Sequence, residues 1–219
     1  TLVDYKRKDE LRWHVEKNGS RVRKSDVLKD LPTHTYQKLS VPLSKEQKRL
    51  YTTMEKEFYA ELDSGEMVET QHAMTRIQKM HQILQGFLID EMGEYHRIKQ
   101  NPRMDMLMDI CDSTEEQVLI WTPFPSDIIE IERKLKEKGK QVVSYYGGTE
   151  KGEERPKNKE AYQTGKVQFF VSNQAVGGTG IELTNTGVMI YYGHSYSLTE
   201  RKQSEERVSR PGLKNNWQK

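Results

Sequence analysis

The stretch that most constrains this chain runs from Lys166 to Gly212, KVQFFVSNQAVGGTGIELTNTGVMIYYGHSYSLTERKQSEERVSRPG. Val167 to Ser172 is a run of β-branched and aromatic residues suited to a buried strand. Gly177-Gly178-Thr179-Gly180 follows as a glycine-rich turn, then a second apolar run from Val188 to Tyr192. The polar segment from Ser197 places Gln203, Arg207 and Arg210 at helical spacing. Glycines after a buried strand let backbone approach a phosphate or sugar, and two arginines three apart present guanidinium forks on one helix face. Strand, glycine turn, strand and arginine helix together point to polyphosphate chemistry.

From Gln117 the pattern alternates strand and helix. Val118–Trp121 reads as a buried strand. Ile128, Ile131 and Leu135 line a helix that stops at Gly139, and Val142–Tyr146 reads as the next strand, turned at Gly147-Gly148. A helix around Lys157 to Tyr162 leads through Gly165 back to the opening stretch. Such units imply an α/β fold, a parallel sheet with helices on both faces that binds ligands at the carboxyl ends of its strands. Thr122, Gly147, Ser172 and Thr179 fall at those ends.

The order of these parts resembles motifs V and VI of superfamily 2 helicases, most closely the Snf-type DNA translocases. GGTGIELT is similar to that group's GGxGxNLT, and QSEERVSRPG to its QAxxRxxRxG. Upstream, RVRKSDVLKDLP (Arg21 to Pro32) resembles the group's RRxKxDVxxxLP, with Val22 in place of the second arginine. The resemblance implies the second RecA-like lobe of a two-lobe motor, preceded by a helical protrusion. It implies a charged lead-in over residues 1–34, an edge strand and protrusion over 35–110, and the motor lobe over 111–219.

The resemblance also assigns roles. Arg210 matches the arginine finger and Arg207 its partner, while Gly178, Gly180, Glu182 and Gln203 fall on nucleotide-binding positions. Glu182 stands where the group usually carries Asn and where other superfamily 2 branches carry an Asp that reaches the ribose. Leu213 replaces the common Gln. Thr122, Gly147, Ser172 and Thr179 match positions that touch the nucleic-acid backbone, contacts that carry little sequence information. The implied cofactor is ATP with Mg2+ held mainly by a first lobe. The implied partners are double-stranded DNA and that N-terminal RecA-like lobe of the same protein, the whole acting as a monomer.

GxxxxGK[ST] does not occur in the chain, and no DExx-type motif follows a buried strand. The phosphate cradle and the magnesium carboxylate must then come from another segment, so this chain alone is expected to be inactive. Its start at Thr1 suggests an excised piece of something longer. The alternative is an inert RecA-like module that binds nucleic acid or a partner, which would not need Gln203, Arg207 and Arg210 together. A strand-separating helicase is the nearest alternative motor. A dinucleotide-binding oxidoreductase would require glycine at Leu183.

The remaining features set the context. Net charge is +2, with basic ends around an acidic middle, a distribution that suits a polyanion on one face. A lone Cys111 excludes an internal disulfide and fits a reducing intracellular compartment; the cytoplasm of a bacterium or phage-infected cell is expected ahead of a nucleus. No apolar run approaches a membrane span, so a soluble chain with no membrane partner is expected.

Nearer the start, residues 4–30 read as charged and helical, with Leu11, Trp13 and Val15 as apolar anchors. Leu39, Val41 and Leu43 alternate as a half-buried strand would, with Pro42 ending it or placing it at an edge. Ser44 and Gln47 form a capping-box pattern ahead of Leu50, Tyr51, Met54, Phe58 and Leu62. Gly65 breaks that helix, and Met74, Ile77, Met80, His81 and Leu84 form a second apolar stripe, which continues in the helix of Met104, Leu107 and Met108. His72 and His81 are nine apart and share no face, so no metal site is expected.

Overall fold

The computed structural model describes residues 6–20, 22, 35–63, 70–149, 152–178 and 180–208, with backbone alone at 60–63 and 70–72. Two units are distinct. The first, Thr1–His34 with Trp217–Lys219, contains α1 (Lys8–Asn18). Leu11, Trp13 and Val15 are all exposed there rather than acting as anchors, and Lys17 Nζ lies 4.8 Å from the Trp13 ring centroid. Of the segment Arg21–Pro32 only the exposed Val22 is described.

The second unit, Thr35–Asn216, holds the functional architecture. α2 (Lys45–Asp63) begins with the expected capping box. The Ser44 N–H donates to Gln47 Oε1 (3.0 Å) and the Gln47 N–H to Ser44 Oγ (3.2 Å), satisfying two N-terminal donors reciprocally. Gln47 Nε2 also donates to Ile83 O (3.0 Å) on α3 (Thr70–Gln85). Arg76 of α3 pairs with Glu57 of α2, so the two helices run antiparallel. Leu50, Tyr51, Met54 and Phe58 are half-buried, as are Ile77, Met80, His81 and Leu84. Met74 is exposed, which ends the apolar stripe one turn early. Gly65 and the side chains of Leu62 and His72 lie outside what the structure describes.

The edge strand expected at Leu39–Leu43 is not formed: 35–44 carry no strand among the described residues. Pro42 has no N–H to give a ladder, and only Val41 and Leu43 are half-buried, so the alternation reflects packing without pairing. Instead an antiparallel hairpin follows α3, with β1 (Phe87–Ile89) paired to β2 (Tyr95–Arg97). Asp90 Oδ1 accepts from the N–H groups of Met92 and Glu94 (both 2.9 Å) and closes its turn.

Four parallel strands form the main sheet in the order β4-β5-β3-β6. They are β3 (Val118–Trp121), β4 (Val142–Tyr145), β5 (Phe169–Ser172) and β6 (Val188–Tyr191). β3 and β5 are central and buried on both faces, which is why they read as continuous apolar runs. Their alternate residues divide between two cores. Val118, Ile120, Phe169 and Val171 meet α4 (Pro102–Ser113) and α5 (Pro125–Glu137) through Leu107, Met108, Ile128 and Ile131. Leu119, Trp121 and Phe170 face Tyr162 of α6 (Glu154–Gln163), together with Ile181, Leu183 and Val208.

Met104, Leu107, Met108 and Cys111 all sit in the first core. α4 is therefore a layer of the α/β lobe, and the division expected at Ile110 falls inside it. The glycine stops act as the sequence indicates. Gly139 (φ 73°) and Gly165 (φ 74°) are left-handed, and the Lys140 and Lys166 N–H groups close back on Leu135 O and Ala161 O (both 2.9 Å). Among the described residues no helix is long and apolar enough to cross a membrane.

Candidate functional site

The carboxyl ends of β3, β5 and β6 are stitched into one edge by backbone bonds. Thr122 N–H donates to Ser172 O (3.1 Å), and Tyr192 N–H donates to Trp121 O (2.9 Å). Beyond β5 the chain does not enter a glycine turn at once. It first makes a single helical turn, α7 (Gln174–Gly177). Gly177 presses this turn onto the sheet, because a Cβ there would come 2.3 Å from Ser172 Oγ and 2.7 Å from the Trp121 ring. At Gly178 a Cβ would lie 2.2 Å from Gln174 O. Gly180 is exposed, left-handed at φ 72°, with nothing near its missing Cβ. The glycines thus do two jobs: 177 and 178 permit close approach, and 180 turns an open backbone outward.

α8 (Leu198–Glu205) follows β6, capped by Ser197, whose Oγ accepts from the Glu200 N–H (3.2 Å). The helix is anchored to β6 by side chains. Ser204, fully buried, donates its hydroxyl to Arg201 O (2.8 Å), so the Tyr191 hydroxyl 2.7 Å away donates to Ser204 Oγ. Burial pushes the Tyr191 phenol up to about 12 and keeps that donor protonated. Arg201 lies 3.4 Å over the Tyr191 ring and bonds Glu205 Oε1 (2.7 Å).

Gln203 is half-buried on α8. Arg207 is not on the helix as its spacing suggested, because α8 ends at Glu205 and Arg207 stands in the turn beyond. Its Nε donates to Gln203 O (3.2 Å), and its own carbonyl accepts from the Leu183 N–H (3.2 Å). That last bond joins the glycine loop to the arginine segment. The two halves of the sequence motif are thereby adjacent in space. Glu182 is exposed, with its carbonyl taken by Gln163 Nε2 (2.6 Å). Arg210 and Thr179 lie outside the described residues.

The strand-end positions differ among themselves. Thr122 is fully buried and donates its hydroxyl to Asp127 Oδ2 (2.7 Å), while Ser172, equally buried, donates to Tyr145 O. Both hydroxyls are turned inward. Gly147 is exposed with open space at its missing Cβ. The sequence did not single out Tyr191, Arg201, Ser204 or Gln174, whose importance depends on which residues β6 and α8 bring together.

Other titratable groups are engaged elsewhere. Burial pushes the Cys111 thiol up to about 12 inside the first core. Asp90, Glu94 and His96 each bring one ligand-type atom within 4.8 Å of the others. Asp90 is already occupied in closing the hairpin, with Oδ2 2.7 Å from His96 Nε2. A small cavity under that hairpin is lined by Tyr95, Asn101, Asp127 and Glu130 among others, and by no residue of the glycine loop or α8.

A four-stranded parallel sheet with helices on both faces and a glycine loop joined to an arginine segment at its carboxyl edge defines a RecA-like lobe. The chain belongs to the helicase conserved C-terminal domain family, whose model matches residues 102–212. The fold is similar to that of solved SWI2/SNF2 ATPases. The Sulfolobus solfataricus SWI2/SNF2 ATPase core in complex with dsDNA is similar with a TM-score of 0.64 and 24% identity, covering 98% of this chain and 46% of that one. The separate C-terminal domain of the Sulfolobus solfataricus SWI2/SNF2 ATPase gives a TM-score of 0.56 and 22% identity, covering 68% of each chain.

In sequence, the chain is 24% identical over 196 residues to YwqA of Bacillus subtilis (strain 168), whose name assigns it to the ATP-dependent helicase/translocases. It is 26% identical over 125 residues to YqhH of the same organism, named as an uncharacterized ATP-dependent helicase. The matches cover 87% and 57% of this chain. Each spans 21% of the relative's length.

Proposed function

We propose that this chain is the second lobe of an ATP-dependent motor that moves along double-stranded DNA without separating its strands. The observation that carries the reading is the bond from Leu183 N–H to Arg207 O, which ties the glycine loop to the arginine segment at the carboxyl edge of the sheet. The residues present fit a nucleotide on that edge. Gly180 offers exposed backbone that faces open space, and Gly178 lets the turn before it close tightly enough to present it.

In this reading ATP supplies the phosphoryl group and, with Mg2+, is held mainly by a first lobe that carries the P-loop. Arg210 and Arg207 act on the developing negative charge when the cleft closes, a contribution of about 10³ to 10⁵ in rate for an arginine finger. Gln203 and Glu182 orient the nucleotide from the α8 side and the loop side. DNA contacts fall to the open Gly147 turn and to Thr179, while Thr122 and Ser172, with inward hydroxyls, shape the strand ends that carry them. The partners are double-stranded DNA and the N-terminal RecA-like lobe of the same protein, working as a monomer.

Backbone and basic contacts of this kind read no sequence, and their affinity falls steeply with salt. For the full-length protein, two unrelated duplexes titrated at low and moderate salt should bind alike and weaken alike. The 219-residue chain alone should release no phosphate from ATP. A strong preference for one duplex, or turnover by the chain alone that survives further purification, would overturn the proposal.

A further inference from the structure

Where the helical hairpin meets the sheet, polar groups from three elements converge on the residues just after β6. α3 ends at Gly86, left-handed at φ 96°, where a Cβ would come 2.1 Å from Asn101 Nδ2. That close approach lets Asn101 Nδ2 donate to Gln85 O (2.7 Å) and to the Tyr192 hydroxyl (3.1 Å), which itself donates to Gln85 O (3.1 Å). Arg103, two residues on, donates from Nη1 to Gln85 Oε1 (3.0 Å) and to Tyr192 O (3.2 Å). A guanidinium only donates, which fixes the oxygen of Gln85 toward Arg103 and turns its Nε2 toward Gly193. A Cβ on Gly193 would lie 1.9 Å from that Nε2. From the other side, Gln174 of α7 donates to Gly193 O (3.3 Å).

Tyr192 and Gly193 are thus gripped by the helical hairpin through Gln85, by α4 through Arg103, and by the glycine-loop turn through Gln174. Both acceptors that Arg103 bonds here are neutral, so the fork's geometry matters more than its charge. The gripped residues begin the short loop into α8, and α8 leads directly to Arg207. We infer that Arg103, together with Gln85, is a positioning residue that sets where the β6–α8 loop departs and so where the arginine segment stands. This rests on the motor reading above. The helical hairpin then acts as a lever on the arginine segment, because displacing α3 moves Gln85 and with it the loop.

Three variants of the full-length protein test this: Arg103→Met, Gln85→Met and Arg103→Lys, with Arg133→Ala, an exposed ion-pairing residue on α5, as control. In both Met variants kcat for DNA-stimulated ATPase should fall about 10- to 100-fold, with KM for ATP and the DNA Kd within about twofold of wild type, since misplacement harms the transition state more than binding. Amide hydrogen exchange should quicken over residues 193–206 and stay unchanged over 118–121. Arg103→Lys, which can keep one of the two bonds, should recover part of the rate, and Arg133→Ala should match wild type.

An active wild type beside Met variants of undiminished kcat overturns the inference. So does exchange that rises equally in both segments in both Met variants, which would mark a general structural role. Should Arg103→Met fail to fold, Gln85→Met, which removes only the neutral partner, decides. A wild type without DNA-stimulated ATPase would instead sink the motor reading, and the exchange contrast would still show whether the loop is tethered.

Discussion

Asp127 shows how a single buried side chain decides the character of a strand end. It is 3% exposed, sits in the first turn of α5 and accepts from the Thr122 hydroxyl. Burial pushes its carboxyl up to about 7, against the opposing effects of that hydrogen bond and of the nearby Arg103 charge. With the folded value above the unfolded one, the contribution of this group to stability is full below about pH 4 and is lost as pH rises through 7. Asp127→Asn should therefore flatten the dependence of melting temperature on pH between about 4 and 8 and raise the melting temperature at pH 8, by about 2–4 °C for each kcal/mol relieved. An unchanged pH slope would show that the carboxyl is not desolvated. The same pair decides where the Thr122 hydroxyl points. A hydroxyl at the end of a buried strand can point to solvent or into the fold, and here an acid five residues later, brought round by the first turn of α5, takes it inward. Ser172 is settled likewise by Tyr145 O on a neighbouring strand. Neither acceptor is visible in local spacing.

Elements were legible wherever the cause was local. The capping box at Ser44 and Gln47, the glycine stops at 139 and 165 and the apolar runs of β3 and β5 are signals contained in a few adjacent residues, and the structure has them all. Failures came where tertiary pairing or layering decides. Leu39 to Leu43 alternates without finding a ladder partner, the three-residue strands of the β1–β2 hairpin are too short to show a period, and the stripe on α4 marks an amphipathic helix without saying which layer it covers. Arg207 lost its helical placement because α8 ends at Glu205, two residues before it. At the capping box the structure adds a tertiary role, since Gln47 also bonds Ile83 O on the facing helix. Ser44→Ala should cost about 1 kcal/mol as a lost cap. Gln47→Ala should cost about 1–3 kcal/mol more than that, because it leaves the buried Ser44 N–H unpaired and removes the tie between the two helices, the Ile83 carbonyl keeping only its bond from the Gly86 N–H. Urea unfolding followed by the helical signal compares the two, and equal losses would mean that Gln47 is only a cap.

Across the whole molecule the glycine loop, α8 and the helical hairpin meet at the carboxyl edge of one parallel sheet, and the arginine segment leaves from that meeting point. A lobe built in this way has a use for Arg210 only if a second lobe presents a triphosphate to it. The side chain would then touch the γ-phosphoryl group only in the closed state, so its loss should lower turnover far more than nucleotide affinity. Removing a finger can raise the barrier by about 4 to 7 kcal/mol, whereas replacing a surface arginine generally changes stability by less than about 0.5 kcal/mol. The difference is large enough to read in one assay. In the full-length protein, Arg210→Ala should leave the melting temperature and duplex binding near wild type while DNA-stimulated ATPase falls by about three orders of magnitude or more, with Arg207→Ala behaving similarly and a charge change at exposed Lys202 without effect. An Arg210→Ala protein that keeps most of its DNA-stimulated ATPase would contradict the assignment of this lobe to an ATP-driven motor.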